Sequence, residues 1–131
     1  MSSTQSLSFT VVEWRDGVVR LLDQTRLPDV EEYLDCRTTQ DVIAAIQRLS
    51  VRGAPAIGVA GAYAVAQAAW LRTESDPAAF RAALLPEMRA IREARPTAVN
   101  LAWAVDRLRA VLDRAEGRPV REQKDTLLAE A

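Results

Sequence analysis

The sequence predicts an α+β domain, a small antiparallel sheet followed by a helical bundle around a buried Ala/Gly-rich helix. Three observations carry this. Residues 9–36 hold short apolar runs around the dipeptide Asp16-Gly17. From Thr38 onward, apolar residues recur at helical spacing to the end of the chain. Within that helical part, "APAIGVAGAYAVAQAAWL" runs uncharged for 18 residues from Ala54 to Leu71, and eight of them are alanine and two glycine. At 131 residues the chain fits one compact domain, residues 1–131, with a sizeable core.

The elements follow in order. "FTVVEW" and "VVRLL" flank "RDG", and Asp16-Gly17 marks a hairpin because a primed turn needs positive φ. A third short strand is expected over Glu32–Cys36, after the Pro28 break. "TTQD" from Thr38 is a Thr-x-x-Asp capping box. Val42, Ile43, Ile46 and Leu49 follow it at helical spacing, and the helix should end near Ser50. The 54–71 helix comes next, with Pro55 at its first position and Gly53 just before it. A third helical region starts at "SDPAAF", with Ser75 as N-cap and Phe80, Leu84, Met88 and Ile91 as its apolar row. Pro86 inside that row predicts a kink or two shorter helices. "RPTAVNLAWAVDRLRAVLDRA" is a fourth helix, capped by Thr97, with Ala98, Leu101, Val105, Leu108 and Leu112 on one stripe. The last segment, 120–131, is helix-prone and stops inside an unfinished pattern at Leu127 and Leu128. That pattern predicts a chain cut short of its full product, with apolar surface left open there.

Composition removes several function classes. Net charge is −1, from 17 Lys+Arg against 18 Asp+Glu, so there is no electrostatic case for nucleic acid or an anionic membrane surface. No histidine is present, which excludes Ser-His and Cys-His catalysis and His-ligated zinc within these residues. Cys36 is the single cysteine, so no intrachain disulfide can form and a reducing compartment is expected. With no histidine partner, its structural role is favoured over a nucleophilic one. The uncharged 54–71 run just reaches the length of a membrane span. Its alanine and glycine content, its central Gln67 and its amphipathic neighbours instead favour a core helix. Gly58 and Gly61 each cost that helix about 1 kcal/mol relative to alanine, which close backbone contact with a neighbour would offset. Trp14, Trp70 and Trp103 are expected at the core or at a domain interface. Glu31 and Glu32, adjacent on an extended segment, face opposite ways and make poor acid–base partners.

The front of the 54–71 helix carries the sharper signal. Its first N–H groups have no intrahelical partner and favour an anion. Arg52 stands beside them and can grip phosphate or carboxylate in a bidentate contact. Arg52, Gly53 and Ala54 thus form a candidate anion site, and an equally simple alternative is a surface arginine beside a turn. "ARPTAVNL" repeats the pattern, with Arg95 extended ahead of Pro96 at the next helix front. Asn100, among Val99, Leu101 and Trp103, is read as partly buried and hydrogen-bonded to backbone, with ligand contact the alternative. Two such fronts facing each other would make a pocket for a phosphorylated metabolite.

Three motifs, "LLDQTRLP" at 21–28, "RTTQDVIAAIQRLSVRGAPAIGVAGAYA" at 37–64 and "RPTAVNLAWAVDRL" at 95–108, together resemble methylthioribose-1-phosphate isomerases. These are enzymes of methionine salvage, in a superfamily shared with ribose-1,5-bisphosphate isomerases and translation-initiation exchange-factor subunits. The resemblance implies an aldose–ketose isomerase that converts 5-methylthioribose 1-phosphate to 5-methylthioribulose 1-phosphate, in the cytoplasm and without metal or organic cofactor. It implies substrate contacts from Arg52, Gly53, Ala54 and Arg95. It implies that the family's catalytic cysteine and aspartate belong to a C-terminal Rossmann-like domain not represented in these residues. Cys36 does not match that cysteine, and no catalytic residue is carried over. The expectation is therefore an N-terminal substrate-binding domain, inactive alone, from a full-length enzyme that is homodimeric. The alternative is a free-standing sugar-phosphate-binding or regulatory module.

Overall fold

The computed structural model describes residues 12–22, 33–47, 54–95 and 98–131. Three strands come first: β1 (Val12–Arg15), β2 (Val18–Leu22) and β3 (Tyr33–Cys36). They form an antiparallel meander in the order β1-β2-β3. Asp16 and Gly17 both take positive φ, 47° and 86°, which is the primed turn that matches strand twist. The register pairs Val12 with Leu21 and Trp14 with Val19 on one side, and Val19 with Cys36 and Leu21 with Leu34 on the other. Alternation then puts Val12, Trp14, Val19, Leu21, Leu34 and Cys36 on one face, toward the helices. On the other face Arg20 lies opposite Asp35 and over the Tyr33 ring, 4.6 Å from its centroid.

Five helices follow: α1 (Thr39–Gln47), α2 (Ala54–Leu71), α3 (Pro77–Arg92), α4 (Val99–Arg114) and α5 (Val120–Glu130). The capping box closes as expected. Thr38 Oγ1 accepts from Asp41 N–H at 3.2 Å, and the Asp41 carboxylate accepts from the Thr38 and Arg37 amides at 3.3 and 3.2 Å. α1 buries Val42, Ile43 and Ile46, while Leu49 and Ser50 lie outside the described residues. α2 opens at Ala54, so Pro55 is its second residue and not its first; its missing N–H is harmless at either position.

Several expected details differ. The N-cap of α3 is Asp76, not Ser75: its carboxylate accepts from Ala79 N–H at 2.9 Å, the only arrangement that leaves Pro77 at the first helical position. α3 runs as one helix across Pro86. Phe80 and Leu84 before the proline, and Met88 and Ile91 after it, are all buried in the same core, which holds the helix through the missing N–H. Ala98 and not Thr97 is the N-cap of α4, and no side chain caps it. Leu127 is fully buried and Leu128 half-buried, so α5 covers its apolar face. Among the described residues the exposed large apolar ones are Val59, Trp70, Leu71, Val99 and Trp103. None of the three tryptophans is buried, because each lies at the edge of the core and not within it.

α2 is the axis of the molecule. Its back half, Ala64 to Ala69, is buried throughout. There Gln67 donates from Nε2 to the carbonyls of Gly17 at 2.9 Å and Cys36 at 2.7 Å, tying helix to sheet. Trp14 packs beside Tyr63 and edge-on to Trp70. Past its end, Arg72 bonds Glu74 at 2.6 Å and Glu87 at 3.2 Å, and Lys124 donates to the Arg72 carbonyl at 2.6 Å. α3 and α4 run antiparallel, joined by Arg92–Asp106 at 2.9 Å and by Arg81–Asp113. α5 returns along α4, with Arg107 paired to Glu130.

Candidate functional site

At Gly58 and Gly61, α2 packs against α4. Gly58 lies against Asn100, where an added Cβ would come 3.3 Å from the Asn100 carbonyl oxygen. At Gly61 an added Cβ would fall well inside van der Waals contact with Leu101 Cδ1. Asn100 and Leu101 are the second and third residues of α4. The first turn of α4 therefore meets α2 at its fifth and eighth residues, about two turns from the α2 start.

Among the described residues no side chain caps the α4 front. α1 and α3 are capped by Thr38 and Asp76, whereas α4 begins at Ala98, which has no side-chain oxygen. Two of its first amides close backbone bonds, Leu101 and Ala102 to the Ala98 carbonyl. Arg95 stands in the α3–α4 connection, half-buried, its carbonyl accepting from Ala98 N–H at 2.9 Å. Its guanidinium has no carboxylate partner among the described residues. Arg92, three residues earlier, has one in Asp106, whose carboxyl it holds below the usual range through a hydrogen bond. A cation with no carboxylate partner among the described residues, beside a helix front that no described side chain caps, can take up an anion by charge-assisted hydrogen bonds.

Of the expected site residues, Arg52 and Gly53 lie outside the described residues, as do Glu31 and Glu32. Ala54 is the first residue of α2 and Arg95 borders α4. Asn100 is exposed, contrary to its expected burial. It stands on the flank of α4, about 100° of helical rotation from Leu101, against Gly58. Along that side a groove of about 570 Å³ runs past Val59, Ala62, Val99, Asn100, Trp103 and Arg107. Trp103 is 61% exposed there, with the Arg107 guanidinium 5.4 Å from its ring centroid. Sequence inspection passed over this groove, although the i, i+3, i+7 spacing of Asn100, Trp103 and Arg107 off the apolar stripe was a usable sign. Cys36 is buried in the sheet face, away from this end of α2. Among the described residues no helix is long and apolar enough to cross a membrane.

A family model described as the Initiation factor 2 subunit family matches residues 50–131, more than half of the chain, and the chain belongs to that family. Within it the chain resembles methylthioribose-1-phosphate isomerases. It is 46% identical over 120 residues to the enzyme of Heliobacterium modesticaldum, covering 92% of this chain and 35% of the relative. It is 47% identical over 120 residues to that of Geobacillus kaustophilus, covering 92% of this chain and 33% of the relative. The crystal structure of 5-methylthioribose 1-phosphate isomerase from Pyrococcus horikoshii superposes with a TM-score of 0.93 at 27% identity, over 99% of this chain and 37% of that one. The translation initiation factor eIF-2B delta subunit from A. fulgidus superposes with a TM-score of 0.84 at 39% identity, over 94% of this chain and 35% of that one. The chain thus spans about a third of the length of the curated relatives it matches.

Proposed function

We propose that these residues are the substrate-binding part of an aldose–ketose isomerase that converts 5-methylthioribose 1-phosphate to 5-methylthioribulose 1-phosphate in methionine salvage. The observation that carries the proposal is the contact of the α4 front with α2 through Gly58 and Gly61. In this reading Arg52, Gly53 and Ala54, at the start of α2, meet Arg95 across that contact. In this proposal the phosphate sits between the fronts, met by their first amides and by the two guanidiniums. An anomeric phosphate blocks spontaneous ring opening, so catalysis needs an acid–base pair as well as a grip on the phosphate. The described residues offer no such pair near the fronts, and the proposal assigns that chemistry to a part of the relatives beyond the third matched here. These residues alone then bind without turning over, and the complete enzyme works as a cytoplasmic homodimer.

Calorimetric titration tests this. The wild-type chain should bind 5-methylthioribose 1-phosphate and not 5-methylthioribose, and Arg52→Ala and Arg95→Ala should each weaken binding at least tenfold. Phosphate-independent binding, or no binding at millimolar ligand, would overturn the proposal, and isomerase turnover by these residues would refute their inactivity. A second reading is a sugar-phosphate-binding regulatory module, favoured by the 39% identity to an initiation-factor subunit. It predicts phosphosugar binding that is indifferent to the methylthio group.

A further inference from the structure

We propose that Gly61, supported by Gly58, is a positioning residue whose missing side chain sets the separation of the α2 and α4 fronts and so the fit of the anion between them. This rests on the phosphosugar site proposed above. α2 uses alanine wherever a neighbour merely needs a small residue, eight times in 18 positions. Against the sheet it accepts even Gln67, which is buried and bonded to the Gly17 and Cys36 carbonyls. Glycine, the poorest helix former after proline, occurs in α2 only at 58 and 61. Those are the two positions that meet the first turn of α4.

What they meet cannot easily yield. At Gly58 the near atom is a backbone carbonyl oxygen, which moves only if α4 moves. At Gly61 it is the end of Leu101, a side chain with no exposed surface and surrounded by core. No α4 backbone atom lies within 4 Å of the Cβ at 61, so a methyl group there acts through displacement of the buried Leu101 side chain, and at 58 it acts directly on the α4 backbone. Leu101 is two residues from the start of α4, and Gly61 is seven residues from Ala54, about 10 Å along the helix at 1.5 Å per residue. No flexible joint lies between either contact and its helix front, so displacement at the contact is carried to the amides. Misplacements of about 1 Å are enough to spoil a polar constellation.

The test uses four proteins titrated with 5-methylthioribose 1-phosphate: wild type, Gly61→Ala, Gly61→Ala/Leu101→Ala, and Leu112→Ala as a core lesion away from the fronts. Gly61→Ala should bind at least tenfold more weakly while remaining folded by circular dichroism. The double variant, although less stable, should recover affinity to within about threefold, because removing the leucine readmits the close approach. Leu112→Ala should lose thermal stability and keep its affinity. A merely structural glycine predicts the reverse order, with the least stable protein binding worst. Nitroxide labels at Val59→Cys and Val99→Cys, read by dipolar broadening, report the separation without ligand; it should grow in Gly61→Ala and return in the double variant. Unchanged label separation, Gly61→Ala affinity within twofold of wild type, or a double variant as weak as the single overturns the inference. If the wild type binds no phosphosugar, the functional reading fails as well, and the labels alone decide the spacing role. Should Gly61→Ala not fold, Gly58→Ala, with its milder 3.3 Å approach, is held to the same criteria.

Discussion

Gln67 offers the most direct test of what joins the sheet to the helices. Its side chain is wholly buried, and its Nε2 donates to the Gly17 and Cys36 carbonyls at 2.9 and 2.7 Å. Its Oε1 has no hydrogen-bond partner among the described residues. Gln67→Leu keeps the volume and removes both donors. Losing the two buried hydrogen bonds costs about 1–3 kcal/mol each. Removing an unpaired amide oxygen returns about 1–2 kcal/mol. At the middle of these ranges the net expectation is a loss of about 2.5 kcal/mol, or a Tm lower by about 8–12 °C for a domain of this size. Gln67→Ala leaves a cavity as well and should lose about 1 kcal/mol more. Thermal and urea unfolding followed by circular dichroism give the numbers. Amide exchange should show the 12–22 hairpin opening first in both variants, because its tie to α2 is gone. A Gln67→Leu protein as stable as wild type would refute the reasoning, since burial of the unpaired oxygen would then outweigh both bonds.

Other expectations are independent of this one. Gly17→Ala forces a side chain into φ 86° and puts its Cβ 2.5 Å from Trp70 Nε1, so it should cost about 2–4 kcal/mol in urea unfolding. Thr38→Ala and Asp41→Ala each break the capping box and should cost about 1 kcal/mol, and the double variant should cost less than the sum because the two side chains serve one helix end. The hydrogen bond from Arg72 holds the Glu74 carboxyl at about 2, below its ordinary 4.5. A depressed folded-state pKa gives stability that is present above pH 4.5 and lost as pH falls toward 2. Glu74→Gln should therefore flatten the acid limb of the Tm profile in that window, and an unchanged limb would place the acid sensitivity elsewhere.

Much of this was legible because local chemistry acted alone. Asp16-Gly17 could serve only a primed turn. Thr38 and Asp41 form a box within four residues. The apolar row of α3 reads the same in sequence and structure. The misses share a cause, which is that a local preference was overruled by something distant. Pro86 does not break α3 because burial of Phe80, Leu84, Met88 and Ile91 against other helices holds it. Ser75 lost the cap to Asp76 because the position of Pro77 fixed the helix start. Asn100 looked buried among apolar neighbours, yet helical rotation turns it toward the groove, away from Leu101.

The candidate site divides in the same way. The sequence by itself determined that two arginine-bearing segments precede two helices, and that the first helix contains glycines it would be more stable without. Those are properties of single segments, fixed by spacing and propensity. Which helix fronts meet is a property of packing between segments some 40 residues apart, and no local preference encodes it. Only the tertiary structure decided that the glycines face Asn100 and Leu101 in the first turn of α4, and that Gln67 at the other end binds the sheet. The physical reason is that a small-residue helix can pack closely on any face. Its partner on each face is chosen by which neighbour gains most from the approach.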